Sequence, residues 1–345
     1  MGALPPESPP KEEDRMRIGR RVRLLAGVLT LGLAAAGCGG AKVETGTGTA
    51  RTSAGAAGSS APAAGGTVKI AINPWAGYEA SAAVLSYLLE KELGYKVEKK
   101  ELAEQVSWEG FESGDVDLIV ENWGHDDLKK TFIEKKKVAV EAGSTGNKGV
   151  IGWYIPKWMT EKYPGITDYK NLNKYAALFA TSESGGKGQL LFGDPSYVSN
   201  EEAIIKNLKL DYKVVVGGSE AALIESATQA QRQKKPLLFY FWDPHWLFDR
   251  VDLVRVNLPP HTDGCDADPK KVACDYAELD LDKIASKRFA DTGGKAYELV
   301  KNFSWTNEAQ NAVANGITND GLSAEDAARK WVEANPSVWA SWIPK

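Results

Sequence analysis

The chain has 345 residues, with 42 Lys and Arg against 46 Asp and Glu, a formal net charge of −4, 11 Trp, and only 3 Cys and 3 His. A slightly acidic balance without a basic aromatic stripe argues against nucleic-acid binding, and three histidines leave little material for acid–base or metal chemistry. The stretch from residue 67 onward is long enough for two lobes of ordinary domain size.

The amino terminus carries Arg15, Arg17, Arg20, Arg21 and Arg23, then an apolar run from Leu24 to Ala36, then Ala35-Ala36-Gly37-Cys38. This is the layout of a secretory signal with a lipobox-like end. Its apolar run is well short of the roughly 20 residues that span a bilayer. Residues 1–38 are therefore expected to direct export and to place a lipid anchor on Cys38, although Ala35 stands where Leu is commonest. Met16 is the better start, because the Pro- and acid-rich segment before it does not belong in a signal peptide. Residues 39–66 are almost entirely Gly, Ala, Ser and Thr, too poor in apolar surface to fold, and read as a flexible tether.

In the first lobe the spacing predicts a strand at Val68 to Ile72, a helix from Glu79 to Leu93 closed by Gly94, and a strand at Lys96 to Leu102. A short helix around Val106, Trp108 and Phe111 closes at Gly114, and a strand at Val116 to Val120 follows. This β-α-β rhythm predicts a largely parallel sheet with helices on both faces. An extended segment, Gly149 to Pro156, then leaves the first lobe. The second lobe takes a helix at Lys157 to Tyr163, a strand at Ala176 to Ala180 and a helix at Asn200 to Leu208. A strand at Lys213 to Val216, a helix at Ser219 to Gln233 and a strand at Leu237 to Trp242 complete it. The chain returns near Tyr276, and helices at Thr306 to Asn315 and Ser323 to Asn335 finish the first lobe. The expected fold is α/β with two lobes, residues 67–155 with 276–345 and residues 156–275. Each is a mostly parallel sheet flanked by helices, and the ligand lies in the cleft between them.

With Cys38 assigned to the anchor, Cys265 and Cys274 remain, in a loop rich in Asp, Gly and Pro; an exported protein would oxidise them to a disulfide. Two cysteines without CxxC spacing, and histidines only at His125, His245 and His261, make no zinc set, so no metal or cofactor is expected.

Aromatic residues carry the functional signal. Phe239-Tyr240-Phe241-Trp242-Asp243-Pro244-His245-Trp246 puts six rings, counting His245, into eight residues. A strand would set Tyr240 and Trp242 on the face opposite Phe239 and Phe241, and Asp243-Pro244 would end it. Trp242 then sits at a strand's carboxyl end, where open α/β sheets hold their ligands. The pattern recurs in Val116 to Trp123 and in Val68 to Trp75, with Tyr78 just beyond. Three strands that end in Trp predict an aromatic cage, with Trp75 or Tyr78 either a further wall or part of the core.

Enzyme readings lack their motifs. Gly143 to Gly149 and Ser184 to Gly188 are glycine-rich but do not end in the Gly-Lys-Ser/Thr of a phosphate loop, and read as turns at lobe edges. No G-x-S-x-G elbow and no H-E-x-x-H helix occurs. The rival class is an exported cell-wall glycan hydrolase, which would also be rich in Trp. It needs two convergent carboxylates about 5 to 9.5 Å apart, and Asp115, Asp117 and Glu121 lie along one strand.

Export signal, tether, two α/β lobes and three segments together resemble the glycine betaine and proline betaine substrate-binding proteins of bacterial ABC importers. The segments are Glu121-Asn122-Trp123-Gly124-His125, Gly193-Asp194-Pro195-Ser196-Tyr197 and Tyr240-Phe241-Trp242-Asp243-Pro244-His245-Trp246, and the likeness holds in order and spacing over nearly all of 67–345. The resemblance implies a type II periplasmic-binding-protein-like fold, no enzymatic activity, and permease and ATPase subunits as partners. It also implies a place on the outer face of the cell membrane. A prism of three rings around a quaternary ammonium head is implied too, here Trp123, Tyr197 and Trp242. The ligand's carboxylate would be held by the amides of Val198 and Ser199 and by His125.

The physics suits such a ligand, because a methylated ammonium has no N–H to donate and a diffuse charge that π-faces stabilise. Each desolvated face contributes about 2 kcal/mol. Three give about 6, short of the roughly 8 kcal/mol of micromolar binding, so the other end must also be held. Two departures from the family stand out: Tyr197 where Trp is frequent, and Glu121 beside Trp123, read either as a solvated acid at a strand end or as a negative charge near the cation. Either shifts the expected ligand toward choline, carnitine or another onium solute as alternatives to glycine betaine.

Overall fold

A computed structural model describes residues 65–345; the export signal, Cys38 and nearly all of the predicted tether lie outside the described residues. The first half starts with β1 (Thr67–Ile72), α1 (Ala76–Lys91), β2 (Lys96–Glu101), α2 (Glu104–Ser113) and β3 (Leu118–Asn122), in the predicted order. β1 turns Val68 and Ile70 inward. Helix α1 is buried on nearly every side, as a helix must be when it lies between the sheet and two further helices near the carboxyl end. Gly114, at φ 77, ends α2 in the left-handed conformation that other residues adopt at a cost.

A one-turn helix α3 (Asp126–Leu128) runs into a π-helical stretch (Lys129–Lys135) and then into the long strand β4 (Ala139–Pro156). There follow α4 (Trp158–Lys162), a 3₁₀ helix (Tyr169–Leu178), β5 (Gly188–Phe192), α5 (Glu201–Asn207), β6 (Tyr212–Val216), α6 (Glu220–Gln233) and β7 (Phe239–Asp243). A 3₁₀ turn (Trp246–Asp249), β8 (Leu253–Arg255) and β9 (Glu278–Ser286) come next. The chain ends in α7 (Lys287–Thr292), α8 (Gly294–Asn302), α9 (Asn307–Thr318), α10 (Ala324–Ala334), α11 (Pro336–Trp339) and a last 3₁₀ turn (Ala340–Trp342). Among the described residues, no helix is long and apolar enough to cross a membrane.

Among the described residues, all nine strands join one sheet in the order β2-β1-β3-β9-β4-β7-β5-β6, with β8 on the end of β4. The three strands β2, β1 and β3 are parallel, as are β7, β5 and β6. At the centre, however, β9 and β4 run antiparallel to their neighbours and to each other. The largely parallel expectation thus holds for the flanks and fails in the middle. The reason is connectivity: β4 and β9 carry the chain from one half to the other without a crossover helix, and extended segments joined that way pair antiparallel. Partners change within β4 at Val150, which faces both Asp243 of β7 and Glu278 of β9.

Two further local expectations differ. Ala176 to Ala180, expected as a strand, lies mostly in the 3₁₀ helix, whose first turn Asp168 caps by accepting from the Lys170 amide at 3.0 Å. The strand of that region is β5 instead, which buries Leu190 just beyond the glycine-rich turn. The other glycine-rich run, Gly143 to Gly149, lies inside β4, where Gly143 and Gly146 at φ 90 and 86 accompany two shifts of register against β9. Cys265 and Cys274 have their sulfurs in bonding contact and their Cα atoms 6.3 Å apart.

One apolar core cluster runs beneath the first half and takes in β7, Phe192, Tyr197 and Leu223 of the second, while another gathers Met159, Leu172, Leu190 and Leu238 around Trp153 of β4. The rings Trp75, Trp123, Tyr197, Tyr240 and Trp242 all belong to the first cluster.

Candidate functional site: an aromatic cavity between the two halves

Two of the rings come from the first half and are held by one carboxylate. Trp75 is the residue before α1, with an extended backbone, and Trp123 follows β3. The indole Nε1 of Trp75 donates to Glu121 Oε1 at 2.9 Å, and that of Trp123 donates to the same oxygen at 2.8 Å. Ser81 Oγ, at 3.2 Å, and Gln310 Nε2 donate to the other oxygen. Glu121 is only 1% exposed, so it is not a solvated strand-end acid; it clamps the two indoles. Burial pushes its carboxyl above the usual range, while the donors from Trp75, Trp123, Gln310 and Ser81 oppose the shift.

Tyr78 lies behind this pair. It meets Trp75 edge-on at 5.1 Å, accepts from the Val120 amide at 3.0 Å, and is fully buried. It therefore supports Trp75 and does not line the cavity.

The second half supplies Tyr197, Tyr240 and Trp242. Asp194 shapes the turn before Tyr197 by accepting from the Ser196 amide at 2.8 Å, an Asx turn. The Tyr197 hydroxyl then donates across to the Pro74 carbonyl at 2.9 Å. Tyr240 and Trp242 share a face of β7, as the strand period requires. Tyr197 meets Trp242 edge-on at 5.3 Å and Trp75 edge-on at 6.0 Å, and stacks on Tyr240 at 6.3 Å.

Trp75, Trp123, Tyr197, Val198 and Trp242 together line one cavity. Glu104, Ile151 and Tyr240 complete its wall. Tyr240 was legible as the residue two before Trp242 on the same strand face. Glu104, the first residue of α2, carries no sequence signal that separates it from the chain's many surface acids.

The residues expected at a ligand's carboxylate end divide. Val198 lines the cavity, but Ser199 does not, and its hydroxyl donates to Glu201 Oε2 at 2.7 Å. His125 is turned to Glu104, its Nε2 3.1 Å from Oε1, and is likewise absent from the lining. Burial alone would lower the His125 pKa, but Glu104, with Asp127 and Asp126 behind it, outweighs burial and raises it above the ordinary value.

His245 is structural. Its Nδ1 accepts from the Leu247 amide at 2.9 Å, so Nε2 carries the proton and donates to Glu220 Oε1 at 2.8 Å. Glu220 also accepts from the Ala76 amide at 3.0 Å, reaching from α6 to the amino end of α1. The carboxylates considered for glycan hydrolysis do not converge. Asp115 pairs with Lys100 at the surface, Asp117 with Arg288 at 2.7 Å, and Glu121 faces the indoles.

Gly149 of β4 matters for the cavity: a Cβ there would come within 2.7 Å of Trp123 Cζ3 and 2.7 Å of Leu281 Cδ2. The expected result of Gly149→Ala is a displaced Trp123 ring and about a tenfold loss of solute affinity, since overpacking costs about 1–3 kcal/mol. Titration alongside the intrinsic Trp emission spectrum checks it; unchanged affinity would show that the ring has room to shift.

A mixed α/β sheet in two halves, with rings from both converging on one cavity, defines a two-lobe substrate-binding protein of type II architecture. The chain belongs to the family described as the substrate binding domain of ABC-type glycine betaine transport systems, which it matches over residues 66–334. Among curated relatives it is similar to the trimethylamine N-oxide-binding protein of Pelagibacter ubique, with 26% identity over 79% of this chain and 89% of the relative. It is also similar to the glycine betaine/proline betaine-binding periplasmic protein of Salmonella typhimurium, with 25% identity over 75% of this chain and 84% of the relative. Among solved structures, lactococcal OpuAC in its closed conformation with glycine betaine superposes with a TM-score of 0.63 at 23% identity, covering 81% of this chain and 99% of that one.

Proposed function

We propose that this protein captures a small methylated ammonium solute, of the glycine betaine class, in the cavity formed by Trp75, Trp123, Tyr197, Tyr240 and Trp242, and delivers it to an ABC permease with its ATPase subunit. The observation that carries the reading is the convergence of these rings from both halves on one cavity, with two of the indoles fixed through a single buried carboxylate. Such rings offer π-faces to a cation that cannot donate hydrogen bonds, each contributing about 0.5 to 2 kcal/mol as water is excluded.

Lobes bounded as 67–155 with 276–345 and 156–275 close on the solute about the crossing strands near Ile155-Pro156 and Tyr276, and the permease recognises the closed form. The bonds from Tyr197 to Pro74 and from Ala76 to Glu220 join the second half to the start of α1 and belong to that closed state. In this reading the protein works outside the cytoplasm, held to the outer face of the membrane by a lipid on Cys38, with Cys265 and Cys274 oxidised to a disulfide. The relatives' printed names support the solute class, and one of them is a periplasmic protein.

The test is isothermal titration of the purified protein with glycine betaine, choline, carnitine, trimethylamine N-oxide and an uncharged amino acid. Micromolar binding of a methylated amine is expected, weakened at least tenfold in Trp242→Ala, which should stay folded at the titration temperature although truncating a buried ring lowers its melting temperature. Silence with every such compound would sink the cage, and an unfolded Trp242→Ala variant would return that ring to the core.

A further inference from the structure

The charges that face the cavity are of one sign. Apart from tyrosine hydroxyls, Glu104 is the one acidic or basic head group in its lining, and it is 4% exposed. Most groups that could welcome an anion sit against carboxylates, although His125 Nε2 makes no aligned hydrogen bond. His125 Nε2 lies 3.1 Å from Glu104 Oε1. The Ala76 amide and His245 Nε2 both meet Glu220, at 3.0 and 2.8 Å. A neighbouring pocket that shares Trp75 is lined by Glu79, Glu101, Asp194 and Glu220, with no Lys or Arg among its lining residues. The Val198 backbone, the remaining place for an amide contact at the cavity, carries no charge.

From this we infer that the cleft selects methylated ammonium solutes that carry no carboxylate, choline before glycine betaine, and that Glu104 sets the preference; the inference rests on the aromatic-cage reading above. The trimethylated head is attracted equally in both compounds, by the rings and by Glu104. The tails differ. A hydroxyl tail donates a charge-assisted hydrogen bond to a carboxylate, whereas a carboxylate tail in so small a cavity lies close to Glu104, and like charges at short range in a low-dielectric site repel strongly. Selection then comes from a repulsive element built against the wrong tail as much as from attraction to the right one.

The test is titration of the whole protein and of Glu104→Gln with choline and with glycine betaine at neutral pH, with Trp242→Ala as the cage control. Choline should bind the parent protein at least tenfold more tightly, and Glu104→Gln should bring the two affinities to within about threefold by weakening choline and strengthening glycine betaine. Glycine betaine binding as tightly as choline, with both lost in Trp242→Ala, would overturn the charge selection while leaving the cage in place. Failure of both compounds to bind would overturn the cage and this inference with it. The parent protein's own affinity ratio decides the matter even where Glu104→Gln does not fold.

Discussion

Glu121→Ala is expected to abolish solute binding, by at least a hundredfold in Kd, and to lower stability by about 3 to 5 kcal/mol, as breaking a buried polar network does. The residue is buried behind the cavity and accepts from two indoles, a serine and a glutamine. Truncation strands those donors in a place water does not reach, at about 1–3 kcal/mol for each one left unsatisfied. It also frees the planes of Trp75 and Trp123, on which the cation-facing geometry depends. Glu121→Gln separates the two effects. Its amide oxygen can still accept from both indoles, while its NH₂ would oppose the Gln310 NH₂. Binding should therefore survive to within about tenfold, while stability falls by about 1–3 kcal/mol, the desolvation cost of the opposed donors. Burial raises the Glu121 carboxyl pKa in the folded state, so the folded protein holds that proton more tightly than the unfolded chain. This contribution to stability is present at low pH and declines as pH rises through the carboxylate range. Titration calorimetry with thermal melts of both variants checks each part. Full binding by Glu121→Ala would mean that packing alone holds the indoles.

The sequence showed the flanks of the fold and most of the cavity because their signals are local. Val68 and Ile70 alternate, Gly94 and Gly114 stop helices, and each cage Trp follows an apolar strand. The central pairing of β4 with β9 was hidden, because it joins Ala139 to Ser286 and Val150 to Glu278 across more than a hundred residues, and nothing in either segment names its partner. Glycines at 143 and 146 made β4 look like a turn, although there they allow bulges. The same limit applied to the site. Trp75, Trp123, Tyr197 and Trp242 announce themselves by residue type, but Glu104, Glu121 and Glu220 differ from surface acids only in where the fold puts them. Glu121, read as a solvated acid or a neighbour of the ligand, turned out to hold the rings from behind, because its side chain points into the layer between α1 and α9 where Ser81 and Gln310 wait.

Between about pH 7 and pH 10 the protein should become more stable as pH rises, by up to about 1.4 kcal/mol per pH unit, and Lys283→Met should remove that slope. Lys283 of β9 is fully buried. Its ammonium donates to the Ser144 carbonyl at 2.7 Å and to the carbonyls of Phe303 and Lys301 at the end of α8, where helix carbonyls favour a cation. Burial nevertheless lowers its pKa from 10.5 to about 7, with Asp282 opposing. Within that window the unfolded chain keeps the proton and the folded protein has released it, so the unfolded state binds more protons and stability rises with pH. Buried Tyr78 and Tyr197, whose pKa values are raised mainly by burial, act in the opposite direction at higher pH, because the folded state then holds the proton longer. Only the difference between parent and variant isolates the lysine. At pH 7 the Met variant sets relief from burying a charge against three carbonyls left without a donor, and the latter should dominate at about 1–3 kcal/mol. Denaturant melts of both proteins at unit steps from pH 6 to pH 10 read the slope directly. Parallel curves would mean that the three carbonyls keep Lys283 charged throughout, so that β9 crosses between the two halves with a permanent cation pinned between the β4 bulge and the end of α8.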